Sequence, residues 1–253
     1  MNCLLKIFAI PLFLLLVTSC VEDSLGRSHT AEMYYVDLLY ALHHHDQAGA
    51  KEAANKFTKS ISGFHTGNYP LRSDDKIDDF YFHLNMSEHS YLEVRASIEN
   101  DELEQAMIQL NRATEGLKAA PIPGFEDLYI AGIYDFIHSW LEVSRTSQKE
   151  DLSDREWRAI KRRIKATSTT WRQCQWIRPS PSLYFFSTED SKEFTIAHGQ
   201  VDHLMTLLKA SLSEEDNLRT KLYIEATDSA VWTLISRFGS PEKGGLELSP
   251  EEI

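Results

Sequence analysis

The chain has 253 residues, with 26 lysines and arginines against 38 aspartates and glutamates, which gives a formal net charge of −12. Its length allows one or two domains with a buried core, and its apolar content of 42%, with 11 glycines and 8 prolines, excludes a disordered or fibrous protein. The acidic balance argues against a nucleic-acid partner, because phosphate binding needs clustered lysine and arginine.

The first twenty residues are typical of a secretion signal. One cation, Lys6, precedes an apolar run over residues 7–17. This run is about half as long as a membrane-spanning helix requires. Its length and its flanks instead fit the apolar region of a signal peptide.

The residues that end this segment carry a more specific pattern. Val17-Thr18-Ser19-Cys20 resembles the lipobox of bacterial lipoprotein signal peptides. The resemblance implies that the Cys20 thiol is acylated by diacylglycerol and that a peptidase cuts directly before it. Several apolar chains on one residue would then hold the protein stably on a membrane. A plain secretion signal that happens to end near a cysteine is the alternative.

Removal of the predicted signal peptide, residues 1–19, leaves 253 − 19 = 234 residues and, because Lys6 is lost, a formal charge of −13. The residue after the cysteine is Val21. In enteric-type bacteria Asp at this position favours retention in the inner membrane. The resemblance therefore implies the outer membrane, facing the periplasm, in a bacterium that has one. Residues 20–29 form a short polar stretch, which predicts a tether between the lipid anchor and the first helix.

The rest of the chain is predicted to be helical, because apolar residues recur at spacings of three and four. Ser153 with Glu156 forms a capping-box pattern at one helix start. We predict an all-α domain over 30–238, followed by an acidic flexible tail over 239–253. The predicted helices are 30–46, 49–64, 75–99, 101–119, 125–148, 154–176, 190–212 and 214–238.

The predicted helices form four pairs that resemble one another. The strongest match covers six residues, H-S-Y-L-E-V from His89 and H-S-W-L-E-V from His138, with five identities and an aromatic residue at the sixth position. A weaker copy begins at His203, and Tyr34 takes the histidine's place in the first pair. This pattern predicts about eight helices as four antiparallel helical hairpins, arranged as a helical repeat array or as fused bundles.

The second helices of the pairs share a 4-3-4 spacing, which is generic for amphipathic helices. In the first three pairs the residues with this spacing are Ala53, Phe57, Ser60 and Phe64; Ala106, Leu110, Ala113 and Leu117; and Ile160, Ile164, Thr167 and Trp171.

The repeat also contains two histidine–glutamate pairs. His89 stands four residues before Glu93, and His138 four before Glu142, so on a helix each imidazole shares a face with a carboxylate. Two such helices facing each other would offer four ligands to a transition metal or to non-covalent haem. The alternative for each pair is a hydrogen bond on the helix surface or a satisfied core histidine, and the protein then needs no cofactor.

A basic stretch stands out in this acidic chain. Arg158, Lys161, Arg162 and Lys165 line one side of a predicted helix whose other side is apolar. Such a face could contact anionic lipid headgroups or an acidic partner. The alternative is a solvated face whose cations pair with nearby glutamates.

Catalytic motifs of the zinc-protease, phosphate-loop and nucleophile-elbow types are not found in the sequence. Besides Cys3 and Cys20 the chain has only Cys174, whose tryptophan neighbours predict burial. We therefore expect a non-catalytic, membrane-tethered module that binds an envelope protein or a small ligand. The alternative is a periplasmic metal- or haem-binding bundle that uses the histidine–glutamate pairs.

Overall fold

The computed structural model of the chain describes residues 26–66, 74–120, 122, 124–149, 152–213 and 216–240. In these ranges the regular structure consists of eight α-helices and three short 3₁₀ segments, which confirms the predicted all-α class. The predicted signal peptide, Cys20 and most of the predicted tail lie outside them. The helices are α1 (residues 26–43), α2 (Gln47–Ser62), α3 (Asp74–Glu99), α4 (Leu103–Ala119), α5 (Tyr129–Ser147), α6 (Asp154–Cys174), α7 (Thr188–Ser213) and α8 (Asn217–Ile235).

The first helix already includes residues 26–29, which the sequence predicts as part of the tether, so the end of the predicted tether is helical. Arg27 Nη1 donates to the Gly63 carbonyl at 2.9 Å, which ties this end of α1 to the end of α2. The helix stops at residue 43 rather than 46, because His45 adopts a left-handed φ of 55°.

The first helix of every hairpin buries one row of side chains at a 3-4-3-4 spacing, which is the apolar stripe of an amphipathic helix. This first-helix row is Ser28, Ala31, Tyr35, Leu38 and Leu42 in α1; Leu84, Ser87, Tyr91, Val94 and Ile98 in α3; Ile133, Phe136, Trp140, Val143 and Ser147 in α5; and His198, Val201, Met205, Leu208 and Leu212 in α7.

The second helices bury a row at 4-3-4 spacing, and this row is present in all four hairpins. The predicted residues of α4 and α6 are confirmed as buried, and α8 supplies a fourth copy. The second-helix row is Ala50, Ala54, Phe57 and Ile61 in α2; Ala106, Leu110, Ala113 and Leu117 in α4; Ile160, Ile164, Thr167 and Trp171 in α6; and Thr220, Ile224, Thr227 and Val231 in α8.

In the first hairpin the observed register differs from the predicted one. Tyr35 is buried at the position of Tyr91, so Met33 rather than Tyr34 takes the histidine's place, and the aligned residues of α1 shift by one. In α2 the half-buried Ser60 is not part of the row, and its hydroxyl donates to the Phe57 carbonyl at 2.7 Å. Phe57 belongs both to the predicted set of four and to the observed one, so spacing alone could not separate the two registers.

Three hairpins use the same connection. The last residue of the first-helix row and the first residue of the second-helix row are eight residues apart in each (42 to 50, 98 to 106 and 212 to 220). The second helix has Asp46, Glu102 or Asp216 as its N-cap, four residues before the first residue of its row. Asp46 accepts from the Gly49 N–H and Asp216 from the Arg219 N–H, both at 2.9 Å, as N-caps do. Between α5 and α6 the step is thirteen residues (147 to 160).

The chain divides into two compact units between Leu128 and Tyr129, so the predicted helical domain contains both. In the first unit α2 packs on α3, and α3 packs on α4. Phe57 links the first two hairpins, because its ring contacts Tyr91 edge-on at 4.7 Å between centroids. Gln47 Nε2 adds a hydrogen bond of 2.8 Å to the Ile98 carbonyl.

In the second unit α5 packs on α6 and α8, and α7 packs on the same two helices, which closes a four-helix ring. Two indole–carboxylate hydrogen bonds join its hairpins. Trp140 Nε1 on α5 donates to Asp228 on α8 at 2.9 Å, and Trp171 Nε1 on α6 donates to Asp202 on α7 at 3.0 Å. Each bond gives a buried indole N–H the partner that it needs inside a core.

Candidate functional site

The repeated six-residue motif holds the first helix of a hairpin against its neighbours. Its aromatic residue and its valine lie in the first-helix row and are buried in both copies. The Tyr91 hydroxyl reaches Thr114 Oγ1 at 3.2 Å across to α4. In the second copy it is the serine of the motif, Ser139, whose hydroxyl forms a hydrogen bond with Thr167 on α6. Core packing and polar pairing between helices therefore explain these positions of the motif.

The histidine and glutamate of the motif lie outside the buried row. On α3 both His89 and Glu93 are exposed. On α5 His138 is half-buried and stacks on Tyr134 at 6.2 Å between ring centroids. Its Nδ1 is buried and has no hydrogen-bond partner in the part of the chain that the structure describes.

Glu142 forms an ion pair with a neighbouring helix. Arg163 Nε on α6 lies 3.5 Å from the Glu142 carboxylate, and Arg163 Nη1 donates to Thr146 Oγ1 at 2.8 Å. This arginine thereby joins α6 to two successive turns of α5. Glu142 thus forms a structural contact on the helix surface, which is the alternative to metal binding given above.

The two histidine–glutamate pairs belong to different units, α3 in the first and α5 in the second. Among the described side chains no group of three or more His, Cys, Asp and Glu could hold a metal ion. Neither pair thus has a third such ligand beside it among the residues that the structure describes, and the four-ligand metal site stays a prediction.

The basic helix α6 starts with the predicted capping box, which is confirmed. Ser153 Oγ accepts from the Glu156 N–H, and the Glu156 carboxylate accepts from the Ser153 N–H at 2.9 Å. The Lys149 ammonium also donates to this carboxylate at 2.8 Å. Hydrogen bonds from Lys149 first, and then from Ser153, lower the pKa of Glu156 to about 2. The first turn of α6 is therefore anchored by a carboxylate that remains ionised.

The cations of α6 form one exposed line along the helix. Of the four predicted residues, Arg158, Arg162 and Lys165 are exposed on this line, and Lys161 is half-buried on its flank. The 3-4 spacing continues in both directions beyond them. The complete cationic stripe consists of Arg155, Arg158, Arg162, Lys165, Thr169, Arg172 and Trp176, all exposed.

The charge on α6 is not balanced locally. The helix carries seven cations and two carboxylates, and both carboxylates lie in its first turn, so its formal charge is 7 − 2 = +5 in a chain of −12. Arg163 pairs with Glu142. Within the described ranges none of the five cations of the stripe forms an ion pair. The alternative prediction, a solvated face whose cations pair with nearby glutamates, therefore does not describe these five residues.

Trp176 ends the stripe and is 76% exposed. Gln175, the C-cap of α6, has right-handed helical angles, so the chain reaches Trp176 without leaving the helical course. Sequence analysis missed Arg155, Arg172 and Trp176 as parts of this surface. The signal was available, since all three continue the spacing of the predicted cations.

The inner side of α6 is closely packed. Cys174 is buried as predicted, and its thiol donates to the Thr170 carbonyl at 3.4 Å. Burial raises the pKa of this thiol to about 11, which keeps it in the unreactive protonated form at neutral pH. Helix α6 thus presents a packed face inward and a cationic one to solvent.

The buried His198 on α7 lies beside the inner face of α6. Its ring packs on Trp171 at 4.9 Å between centroids, and Arg178 Nη1 donates to its Nε2 at 3.2 Å. Burial first, and the Arg178 charge second, lower the pKa of His198 to about 4, whereas Asp202 acts in the opposite direction. The imidazole is therefore neutral at physiological pH.

No helix in the described ranges combines the length and the apolar character that crossing a bilayer requires. Comparison with protein-family models, with curated proteins and with solved structures gives no match to this chain.

Proposed function

We propose that this chain is a lipid-anchored protein of a bacterial envelope whose helical body is a non-catalytic binding module. Two features support the proposal. The lipobox-like residues that end at Cys20 would supply the anchor, and the cationic stripe of α6 would supply the binding surface. In a bacterium with two membranes, Val21 after the cysteine favours the outer membrane, facing the periplasm.

The cationic stripe, which forms no ion pair among the described residues, is the observation that supports the binding role most strongly. Here 38 acidic residues are present in the sequence, yet the stripe lacks an ion-pair partner in the described part of the chain. A surface that stays positive in such a protein is complementary to an anionic partner.

The anchor predicts a definite chemical change at Cys20. We expect the mature protein to begin at this residue and to carry acyl chains, because the thiol is the acceptor of the lipid. Intact-mass spectrometry of membrane-extracted protein would detect both changes, and Cys20→Ser should abolish them and shift the protein out of the membrane fraction.

Cys174→Ser is the matched control for this experiment. Since Cys174 is buried, this variant should be processed and acylated like the wild type. Unchanged processing and membrane association in Cys20→Ser would refute the anchor, as would a wild-type mass that corresponds to an unmodified cysteine.

A metal- or haem-binding function is the second candidate, and one observation favours it. His138 Nδ1 is a buried nitrogen without a hydrogen-bond partner among the described residues, and such an atom is free to coordinate. This function predicts one equivalent of bound metal, or a haem absorption band, that His138→Ala removes. Elemental analysis after incubation with zinc, together with a haem titration, would test it, and an unloaded wild-type protein in both would end it.

A further inference from the structure

We propose that the cationic stripe of α6 lies on the anionic headgroups of a lipid bilayer, with Trp176 entering the interfacial layer. This inference rests on the proposed binding role of the stripe and names its partner. It does not depend on acylation of Cys20.

The shape of the stripe suits a flat partner. Its seven residues follow one line from residue 155 to residue 176, a length of about 32 Å at the rise of an α-helix. All seven are exposed; six lie along one face of α6, and Trp176 lies in the turn directly after it. A plane of headgroups could touch every one of them at once.

Charge complementarity gives the stripe its preference for an anionic surface. Arg155, Arg158, Arg162, Lys165 and Arg172 supply five positive charges, and the carboxylates of α6 lie only in its first turn. The remainder of this acidic chain would be repelled from such a surface. The body would therefore be oriented with α6 toward the membrane.

Trp176 distinguishes a membrane from an acidic protein as the partner. Tryptophan is enriched where water meets the bilayer, since its ring prefers that layer and its N–H can still be hydrated. The row of cations supplies attraction to anionic headgroups, and the exposed indole at its end supplies an interfacial anchor. A protein partner would instead require a larger patch with an apolar centre, and the stripe contains only one aromatic residue.

The experiment uses the full chain reconstituted into vesicles of phosphatidylcholine, with or without phosphatidylglycerol. Lipids brominated near the headgroup end of the acyl chain quench tryptophan fluorescence at close range. We expect quenching of Trp176 in vesicles that contain phosphatidylglycerol, none in the neutral vesicles, and loss of the quenching in 0.5 M salt. Trp176→Phe should remove the quenched component, which identifies the reporting residue.

Matched charge variants locate the contact. One cation near an anionic surface contributes about a fivefold factor to binding, so Arg158→Gln/Arg162→Gln/Lys165→Gln should weaken surface engagement by roughly a hundredfold. The triple variant Lys192→Gln/Lys209→Gln/Lys221→Gln makes the same charge change on α7 and α8. Its Trp176 fluorescence should be quenched as in the wild type. Equal loss in the two triple variants would overturn the stripe as the contact.

Equal quenching of Trp176 in neutral and anionic vesicles would overturn anionic headgroups as the partner of the stripe. A shift of Trp176 emission on addition of polyglutamate, without any lipid-dependent quenching, would assign the stripe to acidic proteins. Flotation with the neutral vesicles reports separately on the anchor. If the protein fails to float with the neutral vesicles, but its Trp176 fluorescence is quenched in phosphatidylglycerol vesicles, acylation is contradicted and the stripe contact stands.

Discussion

Replacement of Trp140 by alanine should destabilise the second unit by about 3–5 kcal/mol, the range for truncation of a fully buried large aromatic side chain. The Trp140 side chain is completely buried in the first-helix row of α5, so its loss leaves a cavity in the four-helix ring. The hydrogen bond of 2.9 Å to Asp228 on α8 is lost as well. Urea unfolding followed by circular dichroism would measure the change in the free energy of unfolding.

Two variants divide this effect into its parts. Trp140→Phe keeps most of the ring in place and removes the N–H donor, so it should cost about 1–3 kcal/mol. Trp176→Ala makes the same chemical change at a residue that is 76% exposed and should stay within about 0.5 kcal/mol of the wild type. If Trp140→Ala and Trp176→Ala have equal effects, the proposed role of Trp140 at the centre of the ring is wrong.

The second large effect is a loss of stability in mild acid that originates at His198. The unfolded chain binds a proton on this histidine with a pKa near 6.5, whereas the folded chain does so only near pH 4. As the pH falls through this window the unfolded state gains the proton first, so folding becomes less favourable. Linkage gives a loss of about 2 kcal/mol between pH 7 and pH 5.

Urea midpoints at pH 7 and pH 5 would measure this loss, and His198→Gln should remove it because no proton can then bind at this position. His89→Gln is the matched control. It makes the same substitution at an exposed histidine of α3 and should keep the wild-type difference between the two pH values. A His198→Gln protein that loses as much stability as the wild type would assign the effect to other groups.

Local features of the fold could be read from the sequence. The capping box at Ser153 was predictable, because it joins residues three apart, and so was the apolar row of α6, because it repeats with the helical period. The register of the first hairpin was not. A shift of one residue leaves the helical spacing unchanged, and only the packing of Tyr35 near Phe57, with ring centroids 6.0 Å apart, fixes which residues of α1 align with those of α3.

The candidate site was predictable in its centre and not at its ends. Arg158, Arg162 and Lys165 stand close together in a visibly basic run. Arg172 and Trp176 are separated from that run by polar residues, and they join it only when α6 is known to reach Cys174 and to be followed by the helical angles of Gln175. Partners such as Trp140 and Asp228 are 88 residues apart, a pairing that no local pattern encodes.

The contact between α5 and α8 also bears on the order in which the molecule can assemble. In the first unit the main contacts join helices that follow one another in the chain, so each helix can pack as soon as it is synthesised. In the second unit α5 lacks one of its neighbours until α8 has been made. Contacts between residues distant in sequence slow folding and prolong the exposure of apolar surface. Nascent chains that end before residue 217 would therefore leave Trp140 uncovered, and the second unit would be the half of the protein that needs a chaperone for longer.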